Sequence, residues 1–234
     1  MEIPQAVIKY ILFQRTGYLQ KNVFFKILTY IGLFGPLYKP TVYLKALIFS
    51  QPIKNEFILD MKKEYLIIKP FLPQTAYSLL DIGCGLAGID FMLSRHYSHN
   101  IKIFLLDKTQ VDDTIYYGFK NKGSIYNSLP LAKSFLAMNN VDIGNIFMQE
   151  VREDNKIVFQ SSFDIIISLI SWGFHYPVST YIQEVYEKLN LDGILIIDIR
   201  KNTGGEDEIK KVFGNYKIID ESIKSMKILA VKTV

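Results

Sequence analysis

The sequence predicts an α/β fold: a doubly wound, mostly parallel sheet with an antiparallel C-terminal strand, plus an N-terminal helical cap. Three observations predict it. From Tyr77 onward, short apolar runs alternate with helical patterns, the grammar of parallel strands joined by crossover helices. Before Tyr77 the spacing is helical throughout. Near the C-terminus, YKIIDESI and MKILAVKTV are separated by too little chain for a crossover helix, so they pair antiparallel if they pair directly. The division falls at residues 1–76 for the cap or lid and 77–234 for the α/β domain.

The cap reads as four helices. Pro4 suits the first turn of one that carries Val7, Ile8, Ile11 and Leu12 and stops near Gly17. A second carries Phe24, Ile27, Leu28, Ile31 and Phe34 and breaks at Gly35-Pro36. A third follows Pro40. A fourth, IKNEFILDMKKEYLII, ends at Lys69-Pro70. In the second part, SLLDIG, IKIFLLD, FDIIISLI and GILIIDIR are apolar runs suited to strands covered on both faces. The helical patterns between them are GIDFMLSRHY, LPLAKSFLAMNN and TYIQEVYEKLN.

At 234 residues, with 49% hydrophobic and 21% charged residues, the chain can bury a sizeable core. Its one cysteine, Cys84, excludes an internal disulfide framework and fits a reducing, cytoplasmic setting. Charge is uneven. Residues 1–78 hold ten Lys/Arg against four Asp/Glu, and the remainder seventeen against nineteen. A net +4 over this length is no nucleic-acid signature. The longest stretch free of Asp, Glu, Lys and Arg, 165–183, is broken by His, Pro and hydroxyls, so no transmembrane span is expected. The start has no signal-peptide pattern. No His/Cys/carboxylate spacing suggests a metal.

The strongest motif is DIGCGLAG, Asp81 to Gly88, leaving one strand and opening a helix. Gly83 and Gly85 allow a tight turn and close approach to a ligand. Gly88 allows the helix to pack near the sheet. The Asp81 carboxylate ahead of the glycines suits a ligand with positive charge and suits a pyrophosphate poorly. Asp107 ends the next strand, 22 residues past Gly85, where a carboxylate accepts bonds from both ribose hydroxyls of a nucleoside.

On LLDIGCGLAG and Asp107, the sequence resembles the class I S-adenosylmethionine-dependent methyltransferases. NIFMQEV resembles their third strand, FDIIISLI the fourth, LNLDGILIIDIRK the fifth, and the C-terminal pair the last two; the resemblance covers roughly 77–234. It implies S-adenosyl-L-methionine as cofactor, held by Asp81, Gly83, Cys84, Gly85, Asp107, Lys108, Glu150, Val151 and Ser168. Adenine falls near Glu150 and Val151, with Glu153 and Asp154 as alternatives. A buried structural role is the other reading of Cys84. Two rivals stand beside it. Gly83-x-Gly85-x-x-Gly88 also satisfies a NAD(P)-binding oxidoreductase pattern, and the fold can serve as a non-catalytic scaffold.

The segment SWGFHYP, 171–177, leaves the fourth strand at the ligand edge of such a sheet. His175 is the expected catalytic base, because an imidazole titrates near neutral pH. Trp172 and Tyr176 are candidate substrate residues, with packing as the bland alternative. Tyr117 and Lys120, in the long loop after Asp107, and Arg200, ending the fifth strand, are candidate acceptor contacts. His96 and His99 end a helix, where a cation suits the dipole. The expected reaction is methyl transfer to a small molecule, at a hydroxyl of a sugar or nucleotide-linked metabolite. The basic, aromatic cap reads first as a lid, then as a surface for a partner chain such as a second copy in a homodimer, then as a peripheral membrane contact.

Overall fold

A computed structural model describes residues 1–15, 17–20, 38–111 and 126–233. The strands are β1 (Ser78–Ile82), β2 (Lys102–Asp107), β3 (Gln110–Val111), β4 (Tyr126–Asn127), β5 (Ile146–Glu150), β6 (Phe163–Ser168), β7 (Ser171–Tyr176), β8 (Leu189–Arg200), β9 (Lys217–Glu221) and β10 (Ser225–Val231). Seven of them form one sheet in the order β5-β2-β1-β6-β8-β10-β9. Neighbours from β5 to β8 are parallel. β10 runs antiparallel to both β8 and β9. The expected C-terminal pairing is therefore present, and it places the antiparallel strand between two others.

Strand alternation divides the core. Leu79, Ile103, Leu105, Ile165, Ile167, Ile194 and Ile196 point to one face. Leu80, Ile82, Phe104, Leu106, Ile166, Leu195, Ile197 and Ile199 point to the other. Both faces are apolar because both are covered. Helices α1 (Ile8–Gln14), α2 (Gly17–Gln20), α3 (Tyr38–Ile48) and α4 (Ser50–Ile68) precede the sheet. Their buried residues, among them Ile8, Ile11, Leu12, Val42, Phe57 and Met61, share one core with the first face. That core also holds residues of α5 (Gly88–His96) and α6 (Leu129–Met138). The second face is covered by α7 (Ile182–Lys188) and α8 (Gly205–Phe213). Cap and sheet are continuous in packing.

α8 has no counterpart among the helical patterns read from the sequence. Five of its nine residues are charged, and a narrow stripe of Ile209, Val212 and Phe213 at i, i+3, i+4 spacing meets the core, a signal that is amphipathic but only one turn long. The expected second cap helix falls largely on residues 21–37, outside the described residues.

Gly88 has a different role from the one expected. A Cβ there would lie 2.6 Å from Phe57 Cζ and 2.7 Å from Met61 Sδ. The missing side chain lets α4 of the cap, rather than the sheet, come close to α5. Among the described residues, no helix is long and apolar enough to cross a membrane.

Candidate active site

The order of the sheet reverses between β1 and β6, and in open α/β sheets a crevice forms beyond the carboxyl ends at such a point. A cleft lies there. The glycine turn, Asp81, Asp107, Asn127, Ser171 and His175 line it from the sheet side, and Gln14, Arg15, Phe57, Met61 and Glu64 from the cap.

Asp81 is buried at the end of β1. Its Oδ1 has no hydrogen-bond partner. Burial raises its pKa well above the usual carboxylate range, with Asp90 adding to the effect. Gly83 and Gly85 follow in left-handed conformations, φ +76° and +54°, which favour glycine. They also admit protein neighbours. A Cβ on Gly83 would meet Ser171 Oγ at 1.8 Å, and one on Gly85 would meet Gln14 Oε1 at 2.8 Å. The glycine turn is thus a seat for the β6–β7 turn on one side and for α1 on the other.

Asp107 ends β2 and binds this turn together. Its Oδ2 accepts from the Gly85 amide at 2.8 Å and from Asn127 Nδ2 at 2.9 Å, and its Oδ1 accepts from the Lys108 amide at 2.7 Å. Burial raises its pKa to about 6, against the pull of these donors. Asn127 Oδ1 in turn accepts from Gln14 Nε2 at 3.3 Å. Neither Asn127 nor Gln14 is evident from the sequence. An amide in a loop and a glutamine at a helix end carry no spacing signal; the fold alone brings them to Asp107.

β7 holds the segment expected to leave the fourth strand, and it is a strand of its own. Being extended, it alternates its side chains. Ser171 and His175 face the cleft. Trp172 and Tyr176 pack into the core on the far face of the sheet. Trp172 is 0% exposed. Its Nε1–H is shared between the carbonyls of Pro177 at 3.2 Å and Val178 at 3.0 Å. A buried indole with its donor satisfied is a packing residue, which corrects the substrate role expected of it. Tyr176 is half-buried against the same core and in hydrogen-bond contact with Ser171.

β7 is entered through Ile170, whose φ of +54° is unusual for a β-branched residue. The Ile170 amide donates to Asp198 Oδ2 at 3.1 Å. Asp198 pairs at 2.7 Å with Lys227, which also reaches Glu64 of α4 at 3.1 Å. Burial works against the Lys227 cation, but the two carboxylates outweigh it and its pKa is raised. Burial pulls Asp198 the opposite way, toward the neutral acid. The short contact favours the ionised pair, and Glu64 adds to the hold on the Lys227 cation while it opposes the Asp198 charge. Lys227→Met leaves two carboxylates facing each other in a buried place, so a loss of about 3–5 kcal/mol is expected in urea unfolding; a loss below ~1 kcal/mol would show that the network is not a fastening of cap to sheet.

No protein-family model matches the sequence, and no curated protein matches it either. Solved structures do. A provisionally assigned O-methyltransferase from Nostoc punctiforme aligns over 97% of this chain and 72% of its own, with TM-score 0.55 and 14% identity. A protein from Pyrococcus horikoshii aligns over 73% of this chain and 90% of its own, with TM-score 0.51 and 12% identity. Strand order and these likenesses agree. The fold is that of the class I methyltransferases. A nicotinamide-type dinucleotide fold has its strands in the order 3-2-1-4-5-6, without the last strand inserted antiparallel as β10 is here.

Within the methyltransferase fold the remaining expected residues fall as follows. Cys84 is buried and lines the cleft; burial raises its pKa well above the thiol range, which leaves it a poor nucleophile. Glu150 lies opposite Asp107 in register, is exposed, and accepts from the Thr109 amide at 2.8 Å. The Val151 amide donates to the Asp107 carbonyl at 2.9 Å. Ser168 departs from the cofactor role expected of it. It is fully buried, donating from Oγ to the Ile82 carbonyl at 2.7 Å and accepting from the Trp172 amide at 3.0 Å, so it staples β6 to β1. Arg200 donates from Nε to the Phe174 carbonyl at 2.9 Å and stacks over that ring at 4.4 Å. Tyr117 and Lys120 lie outside the described residues. His96 also differs from expectation: its Nδ1 is 2.8 Å from the Tyr65 hydroxyl, and burial, then Lys69, lowers its pKa, disfavouring the cation. Among the described residues, no group of three or more His, Cys, Asp or Glu suits a metal.

Proposed function

We propose that the chain is an S-adenosylmethionine-dependent methyltransferase acting on a hydroxyl of a small molecule. The observation that supports this most is the shared cleft: Asp81, the glycine turn, Asp107 and His175 line one space at the carboxyl edge of the sheet. The residues suit the cofactor. A buried Asp81 oxygen without a partner suits an ammonium donor, and the one acceptor position left on Asp107 Oδ1 suits a ribose hydroxyl. Glu150 and Val151, next to Asp107 across β5, would flank the adenine. When bound, S-adenosylmethionine supplies an electrophilic methyl group on a sulfonium centre.

The chain supplies the rest. A ring nitrogen of His175 takes the proton of the acceptor hydroxyl as the C–O bond forms. Phe57 and Met61 of the cap line the cleft and exclude water from it. The narrower acceptor class read from the sequence, a sugar or nucleotide-linked metabolite, loses part of its support, since Arg200 is engaged with Phe174.

Calorimetry with S-adenosylmethionine and with NADH tests the reading. Binding of the first alone is expected. Binding of NADH alone would replace the methyltransferase with an oxidoreductase, and binding of neither would favour the scaffold.

A further inference from the structure

Asp90 belongs to no part of the chemistry described so far. It sits in the first turn of α5, 0% exposed, with both carboxyl oxygens lacking a hydrogen-bond partner. Its neighbour is Asp81, close enough that each carboxyl group shifts the titration of the other. Asp81 Oδ1 is a third buried oxygen without a partner in the same place. Asp81 also lines the cleft. Two carboxyl groups in contact and out of water cannot both ionise cheaply. Three unsatisfied acceptor oxygens at the wall of a cleft await donors.

We propose that Asp81 and Asp90 form a carboxyl pair that shares one proton in the free protein and gives it up when a ligand ammonium enters the cleft. The inference rests on the cofactor reading above, because the ammonium is that of the cofactor's amino-acid part. Asp90 is a positioning and charge-balancing residue behind Asp81. The incoming cation does what the proton did: it offsets the repulsion between the two carboxylates. The positive end of α5, at whose first turn Asp90 sits, favours the ionised product.

Other charged and titratable groups face this pair. Asp107 and the Cys84 thiol flank it, and Tyr176 adds a weaker influence. From the cap come Arg15, paired with Asp60 at 3.5 Å, and Glu64, paired with Lys227. His175 lines the same cleft from β7. Burial raises the Asp90 pKa to about 7 and that of Asp81 well above the usual range, while Asp107 is at about 6. A measurement at pH 7 therefore finds the pair still holding a proton, with Asp107 mostly ionised.

The test is calorimetry of S-adenosylhomocysteine binding at pH 7 in buffers of different ionisation enthalpy. Release of about one proton is expected for the wild type. Methylthioadenosine has the nucleoside without the amino-acid part, and its binding should release no more than the roughly one-tenth of a proton still on Asp107 at pH 7. Asp90→Asn, an isosteric change, should release clearly less than the wild type on binding S-adenosylhomocysteine, because burial alone is left to hold the Asp81 proton. Binding of S-adenosylhomocysteine by the wild type without proton release overturns the pair and leaves the cofactor reading intact. So does equal release with methylthioadenosine. If S-adenosylhomocysteine does not bind, the cofactor reading fails and takes the ligand-driven exchange with it.

The shared proton has its own readout in the free protein. A carboxyl whose folded pKa is raised stabilises the fold at low pH, and that stability is lost as pH rises through the folded value. Between pH 6 and 8 the wild type should lose thermal stability relative to Asp90→Asn. Parallel curves for the two proteins would overturn the pair without reference to any ligand.

Discussion

His175→Ala is expected to lose turnover by about 10²–10⁴-fold while binding S-adenosylmethionine as tightly as the wild type. The reasoning is geometric first. β7 is extended, so Ser171 and His175 share the side that faces the cleft, and Trp172 and Tyr176 turn into the core. An alcohol has to lose its proton as it takes a methyl group, and His175 is the titratable imidazole in that cleft. Asp81 and Asp107, the residues proposed to hold the cofactor, belong to other strands. Removing the imidazole should therefore leave cofactor affinity alone. Single-turnover rates with a cognate acceptor and calorimetry on the same variant separate the two. A residual rate that rises with pH, as solvent base replaces the ring, would support the assignment. Full turnover in the variant would remove His175 from the mechanism.

Asp107→Asn should weaken S-adenosylmethionine binding by about 10–100-fold. One charge-assisted hydrogen bond from a ribose hydroxyl to the lone pair left on Oδ1, at about 1.5–3 kcal/mol, is at stake. The amide keeps the volume and loses acceptor capacity. The same substitution disturbs the protein's own wiring, since Oδ2 receives both the Gly85 amide and Asn127 Nδ2. The effect should therefore reach the glycine turn as well as the ribose. In the wild type, burial holds Asp107 at about 6. The ionised form accepts from hydroxyls better than the acid does. Nucleoside affinity, read with methylthioadenosine, should thus fall as pH drops through 6 and level off above it. A variant within threefold of the wild type, or a flat pH profile between 5 and 7, would count against Asp107 as the ribose acid.

Much of the site was legible because two carboxylates stand at the ends of apolar runs. Asp81 and Asp107 are each the polar residue at the carboxyl edge of a strand, and strand periodicity alone places them there. His175 was legible as chemistry. Its neighbours were not, because the segment lies beyond the apolar run of the fourth strand and nothing in its spacing says which side chains go which way. The glycines were legible as a turn, but their neighbours were not. Ser171, Gln14, Phe57 and Met61 occupy the space beside them, and all four come from elements distant in sequence.

What the sequence by itself determined is the alternation of strands and helices, the antiparallel end, and the residues that mark the ligand edge. These follow from local periodicity and from residue types with restricted conformations or charges. Only the tertiary structure decided that Trp172 and Ser168 are core, that α8 completes the second face, and that Asn127, Gln14 and Asp90 stand beside the two acids. The physical reason is the same throughout. A side chain's role at a site depends on which face its backbone presents and on what a remote element places opposite it, and neither is encoded in the spacing of one segment.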